Sequence, residues 1–310
     1  MTDSEWRGIG VQVGPDDWRR FCIFNCDAPC SAGCLSAPHR GRGRTSLHAS
    51  RVDERFSYCL YVPKSYAEHE TRTYPLIVVV HGTERGAQAY RDAFAAFAEQ
   101  HEVIVFAPLF PCGVIETGLE CHNYKFIRFH DIRFDLLLLR MIDEVGALYR
   151  INSERFLLFG FSGGGQFAHR FFYLHPERLL GVSIGAPGWV TLFDEERDWW
   201  VGVRDIEQQF GRRPDIDALR RVPVQLVAGS DDVETWDVII PESSRYWQPG
   251  ANVAGRTRLE RLAALGDSLQ RHGVSVRHDI VQHAGHEGFK MIGSVQEFFA
   301  SVLATQVLQE

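Results

Sequence analysis

The apolar positions of this chain fall into short runs separated by stretches of helical spacing. Leu76-Ile77-Val78-Val79-Val80 is uninterrupted, as expected of a strand buried on both faces of a parallel sheet. Residues 56–62 alternate in the manner of an edge strand. Residues 103–106 form a further apolar run, ended by Ala107-Pro108, and residues 156–159 lead directly into Gly160. Further strands are predicted near 180–184, 222–228 and 274–281. Between these runs, apolar residues recur every three or four positions, the period of a helix with one buried face. Tyr90, Phe94 and Phe97 form one such set, and Leu138, Ile142, Val145 and Tyr149 another. Phe167 with Phe171, the leucines 259, 262, 265 and 269, and Val295 with Phe298, Phe299 and Val302 complete the series. This alternation predicts an α/β fold with a mostly parallel central sheet and helices on both faces.

Two stretches break the rhythm, residues 187–221 and 233–255. Excursions of this length in a compact domain are usually lids or binding loops. They hold five of the seven tryptophans: Trp189, Trp199, Trp200, Trp236 and Trp247. Because both leave the carboxyl ends of predicted strands, where such sheets bind ligands, these rings are candidates for an aromatic substrate pocket. Residues 1–50 lack periodicity and carry the basic run His39-Arg40-Gly41-Arg42-Gly43-Arg44. They are expected to form a loosely ordered extension ahead of a catalytic domain at 51–310.

Composition narrows the options. The chain has 310 residues, 45% of them hydrophobic, which is enough for one large domain with insertions. A formal net charge of −7 argues against a nucleic-acid partner. No apolar stretch is long enough for a membrane helix, and the polar, acidic start does not resemble a signal peptide. A cytoplasmic protein is expected. Of seven cysteines, Cys22, Cys26, Cys30 and Cys34 recur every four residues, but without a Cys-x-x-Cys knuckle or a matching His pair. No metal site is expected from them, and free thiols are favoured over a disulfide framework. Cys112 and Cys121 share one loop and could pair only in an exported protein.

The chemistry concentrates at Gly160-Phe161-Ser162-Gly163-Gly164-Gly165, directly after a buried strand and before a helix-compatible run. A nucleophilic serine needs such a tight strand-to-helix turn to stand exposed above the sheet edge. Its hydroxyl becomes reactive when an imidazole takes its proton, and the imidazole needs a carboxylate to fix its tautomer. Gly229-Ser230-Asp231-Asp232 and His283-Ala284-Gly285-His286 each follow a later predicted strand. Asp232 is favoured over Asp231 as the acid, since it lies farther past the strand. His286 is favoured over His283, since it lies beyond Gly285 in the loop. The backbone amides of Gly163 and of Thr83, in the turn His81-Gly82-Thr83, are candidate donors to an oxyanion. His81 is read as shaping that turn.

With Ser, Asp and His in this order, residues 55–305 resemble the α/β-hydrolase superfamily. Tyr58-Cys59-Leu60-Tyr61-Val62-Pro63, followed by Tyr74-Pro75-Leu76 and the first His-Gly, is similar to polyhydroxybutyrate-depolymerase-like and feruloyl-esterase-like enzymes. Those families often carry a cysteine after the His-Gly pair, where this chain has Thr83. The triple glycine ending the elbow resembles prolyl-oligopeptidase-type peptidases. These resemblances imply a serine hydrolase acting on a small-molecule carboxylic ester without a cofactor. Its rivals are an amide or peptide hydrolase with the same machinery and a non-catalytic ligand receptor on the same fold.

Overall fold

The computed structural model describes residues 41–67, 71–116 and 120–307. The four cysteines Cys22 to Cys34, and residues 1–40 of the expected extension, lie outside the described residues. Among the described residues there are eleven strands: β1 (Gly43–Arg44), β2 (His48–Ala49), β3 (Ser57–Val62), β4 (Leu76–Val80), β5 (Ile104–Leu109), β6 (Arg128–Phe129), β7 (Ile132–Arg133), β8 (Phe156–Phe161), β9 (Leu179–Gly185), β10 (Val224–Gly229) and β11 (Val276–Val281). All but the β6–β7 hairpin join one sheet, in the order β1-β3-β5-β4-β8-β9-β10-β11, with β2 also on β3. From β5 to β11 neighbouring strands run parallel, while β3 is antiparallel to β5. The mostly parallel sheet expected from the sequence is therefore present, made mixed by the antiparallel β3.

The α-helices among the described residues are α1 (Ala87–Ala93), α2 (Ala95–His101), α3 (Phe134–Leu148), α4 (Gly163–Leu174), α5 (Ile206–Phe210), α6 (Ile216–Arg220), α7 (Arg258–Arg271) and α8 (Gly288–Val307). The connection β4→β5 steps one way along the sheet and β8→β9 the other. Right-handed crossovers therefore place α1–α2 and α4 on opposite faces. The single helix expected around Tyr90 to Phe97 is two short ones, broken at Phe94, whose backbone leaves the helical region.

Two edges differ from the sequence reading. Residues 41–50, assigned to the loose extension, supply β1 and β2, which pair with β3. The strand expected at an edge is thereby covered, and five of its six residues are buried. The sheet ends at β1 and at β11, and β11 has no fully buried position. Strand β5 also runs through Pro108 to Leu109, where Ala107-Pro108 was expected to end it. The parallel partner β4 pairs with β5 only as far as Phe106, so Pro108 lies where β5 has β3 alone beside it. Among the described residues no helix is long and apolar enough to cross a membrane.

Candidate active site

Strand order reverses between β4 and β8, since β4 connects toward β5 and β8 toward β9. Ligands of open α/β sheets bind at such a switch point, outside the carboxyl ends of the strands. The loops leaving these two strands carry Thr83 and Ser162. Ser162 has φ 56° and ψ −112°, a conformation that costs free energy for a residue with a Cβ. Two glycines make the turn possible. A Cβ on Gly160 would lie 2.1 Å from Gly164 O, and one on Gly164 would lie 2.1 Å from Val80 O. The turn is pinned by Ser162 N–H donating to Gly185 O at 2.8 Å. Ser162 Oγ makes no hydrogen bond among the described residues and faces a cavity of about 880 Å³.

His286 lines the same cavity from the loop between β11 and α8, its ring 4.7 Å from that of Phe161. Its Nδ1 hydrogen-bonds Asp232 Oδ2 at 2.7 Å. Asp232 is only 1% exposed, and its other oxygen accepts from Arg258 Nη1 at 3.0 Å. Arg258, at the start of α7, also donates to Asp237. The structure thus brings Ser162, His286 and Asp232 to one rim. Asp231 and His283 stand apart from it. Asp231 is exposed and accepts from Ser230 Oγ at 2.8 Å, while His283 is exposed with its amide donating to Ser230 Oγ at 2.9 Å.

Thr83 N lies 3.3 Å from where a Cβ of Gly163 would stand, so the two candidate amides are neighbours. Neither donates to a protein acceptor among the described residues. His81 holds this turn in place. Its Nδ1–H donates to Gly82 O at 2.7 Å, and its Nε2 accepts from Phe110 N–H at 3.0 Å. Burial drives its pKa down to about 3, so it stays neutral with both ring nitrogens occupied. Arg85 braces the same turn by donating to Thr83 O at 2.5 Å and to Cys121 O at 3.1 Å.

The tryptophans divide. Trp189 and Trp236 line the cavity, beside Tyr90, Phe161 and Phe289. Trp199, Trp200 and Trp247, the other three candidates, do not. Trp200 stacks behind Trp189 at 5.7 Å, Trp199 packs edge-on against Phe210 at 4.8 Å, and Trp247 packs on the same aromatic cluster. They anchor the excursion that carries Trp189.

Four residues of the site carry no sequence motif: Arg258, His122, Lys125 and Gln166. All four line the cavity, and the ring of His122 stacks on Trp189 at 4.7 Å. Lys125 sits in a short turn, Tyr124–Phe126. Burial pushes its pKa down to about 7 and that of His122 to about 3. An apolar-flanked lysine between Tyr124 and Phe126 was the one available hint. Among the described residues no group of three His, Cys, Asp or Glu side chains could hold a metal ion.

No protein-family model matches the chain, and no curated protein sequence matches it. Solved structures do. The poly(3-hydroxybutyrate) depolymerase LpqC of Bordetella parapertussis is 25% identical, with TM-score 0.65 over 86% of this chain and 95% of that one. Poly(aspartic acid) hydrolase-1 of Sphingomonas sp. KT-1 is 20% identical, with TM-score 0.63 over 83% and 98%. An S-formylglutathione hydrolase of Agrobacterium tumefaciens is 16% identical, with TM-score 0.55 over 84% and 93%. With this sheet order, a serine at the β8 turn and these neighbours, the chain is a member of the α/β-hydrolase superfamily.

Proposed function

We propose that this chain is a serine esterase that cleaves a small carboxylic ester through an acyl-enzyme. One observation carries the reading. The strained Ser162 opens into the same cavity as His286, and the far ring nitrogen of His286 is bonded to the buried Asp232. His286 takes the proton of Ser162 as Oγ attacks the ester carbonyl. The carbonyl oxygen becomes an oxyanion held by the amides of Thr83 and Gly163. The tetrahedral intermediate collapses, its C–O bond breaks, and His286 protonates the leaving alkoxide. Water, deprotonated by His286, then attacks the acyl-enzyme, and Ser162 regains its proton as the acid departs. Asp232 keeps Nδ1 protonated throughout, so that Nε2 is the basic nitrogen. Trp189, Trp236 and Phe289 offer an apolar wall to the ester.

The neighbour named as a poly(3-hydroxybutyrate) depolymerase supports ester chemistry. The one named as a poly(aspartic acid) hydrolase acts on a polyamide, which makes amide cleavage the rival reading. A fluorophosphonate probe should label the wild type and leave Ser162→Ala unlabelled. That variant should also lose turnover of p-nitrophenyl esters while its circular dichroism stays native. Undiminished turnover by a natively folded Ser162→Ala would end the serine-hydrolase reading. Faster turnover of matched amides than of esters by the wild type would replace esterase with amidase.

A further inference from the structure

The cavity wall beside the candidate oxyanion amides carries a lysine amine with no counter-charge. Lys125 is 2% exposed, and its Cε lies 2.7 Å from where a Cβ of Gly163 would stand. Its ammonium is therefore carried on a stem packed against the residue whose amide is the proposed oxyanion donor. The turn holding it is fixed from two sides. Arg170 Nη1 donates to Lys125 O at 2.6 Å, and Tyr124 Oη donates to His81 O at 2.9 Å. The single hydrogen bond of Lys125 Nζ among the described residues is to His122 Nδ1, at 3.2 Å. No carboxylate of the described residues lies within ion-pair distance of it.

The other cations of the cavity are taken. Arg258 is paired with Asp232 and Asp237, and Lys290 with Glu287 at 2.7 Å. Burial without a counter-charge costs the charged form of Lys125 free energy, and a bound anion would offset that cost and hold the ammonium protonated. Gln166 stands on the same wall, one turn beyond Ser162. Its side chain makes no hydrogen bond among the described residues, so the two N–H donors of its Nε2 are unused on this wall. The wall thus offers one positive charge and one primary amide, side by side with the reacting carbonyl's expected place.

We propose that the acyl part of the substrate bears a carboxylate, received by Lys125 and accepting a hydrogen bond from Gln166 Nε2. The substrate class is the half-ester of a short dicarboxylic acid. This rests on the esterase reading of the same site. The acyl side is indicated because Lys125 packs against Gly163, on the oxyanion side, whereas the alcohol departs toward His286. A carboxylate is indicated over a phosphate dianion by charge. One ammonium balances one negative charge, and the neighbouring imidazole of His122 is kept neutral by burial. A second negative charge would stay uncompensated in a buried wall.

The test compares p-nitrophenyl hydrogen succinate with p-nitrophenyl butyrate, esters of similar length with and without the charge. A hydrogen bond to a charged group is worth about 1.5–3 kcal/mol, so wild-type kcat/KM should favour the succinate ester by about ten- to a hundredfold. Lys125→Met should collapse that ratio to near one or below, with Gln166→Leu reducing it less. Wild-type preference for the butyrate ester would overturn the proposal while leaving the esterase reading intact. So would a Lys125→Met variant that slows both esters equally, which would instead make Lys125 a partner of the oxyanion. Absence of turnover of either ester, with no fluorophosphonate labelling, would mark failure of the esterase reading itself. The wild-type comparison needs no variant to fold.

Discussion

Replacing Asp232 by Asn puts the proposed triad under its most specific strain. Asn is nearly isosteric, so the packing around a 1% exposed side chain is kept. Arg258 decides which way the new amide turns. A guanidinium only donates, so the position that accepts from Arg258 Nη1 at 3.0 Å must be filled by the amide oxygen. The amide NH₂ then faces His286 Nδ1 across the present 2.7 Å contact, and Nδ1 must become an acceptor. The ring proton moves to Nε2, the nitrogen that must take the proton of Ser162, and general base catalysis stops.

An Asn that imposes the wrong tautomer in a Ser-His-Asp triad costs about 10⁴ in kcat, or about 5.5 kcal/mol at 1.36 kcal/mol per decade. The assay is p-nitrophenyl ester turnover with active-site titration by a fluorophosphonate. Asp231→Asn, at an exposed side chain, should stay within about twofold of wild type. The argument also carries a rescue. In Asp232→Asn/Arg258→Met the donor that fixes the amide is gone, so the amide oxygen can turn to Nδ1–H and restore the useful tautomer. The double variant should therefore be about tenfold faster than Asp232→Asn, a non-additive result. A single variant within about tenfold of wild type would refute the orienting role of Asp232. A double variant no faster than the single would refute the part given to Arg258.

Other expectations follow from packing. Gly164→Ala puts a Cβ 2.1 Å from the backbone oxygen of Val80 and should cost about 3 kcal/mol or more by thermal melting, whereas Gly41→Ala, with nothing within 4 Å, should be neutral. Trp236→Ala, at a ring 80% exposed on the cavity rim, should change chain-length preference among esters with the melting temperature unmoved. Trp199→Ala should lower the melting temperature and leave preference alone, and the reverse pattern would overturn the division of the tryptophans made here. A chain beginning at residue 52 loses β1 and β2 and uncovers β3, so it should melt below one beginning at residue 41. Equal melting temperatures would show that the two short strands add nothing.

The parts of the fold that could be read from the sequence are those that burial alone specifies. Strands β4, β8, β9 and β10 are buried at every position, so each contains a short apolar run. Strands β1 and β2 have no such signature. Gly43-Arg44 and His48-Ala49 are held by backbone pairing to β3, which leaves composition free. At the site, Ser162, Asp232 and His286 could be named because each follows a strand, and strand ends are where side chains meet. Lys125 could not, because its importance comes from burial against Gly163, a contact between distant segments. The tryptophans show the same limit. Their loops were identifiable, but only stacking separates Trp189 on the cavity wall from Trp200 behind it.

The two excursions expected to act alike are physically different, and Arg170 is the reason. This arginine of α4 is fully buried and makes no ion pair among the described residues; burial lowers its pKa to about 9. It is satisfied instead by neutral acceptors: Lys125 O at 2.6 Å, Thr191 Oγ1 at 2.8 Å and Trp189 O at 3.5 Å. The rings of Phe126, Trp200 and Trp199 lie 4.8, 5.6 and 5.9 Å from its guanidinium carbon. Freeing residues 189–191 from α4 would strand this guanidinium in an apolar cage, at a cost of several kcal/mol. That side of the cavity is therefore a fixed wall, as suits a surface that must hold Lys125 and Trp189 in register with Ser162. The other excursion has no such fastening at its start, where Val233 is 55% and Trp236 80% exposed. Adjustment to a substrate must come from the 233–236 side, over the rim that carries Asp232 itself. Bulk in the alcohol is consequently expected to be tolerated where Trp236 stands, and bulk in the acyl group to be refused at Lys125.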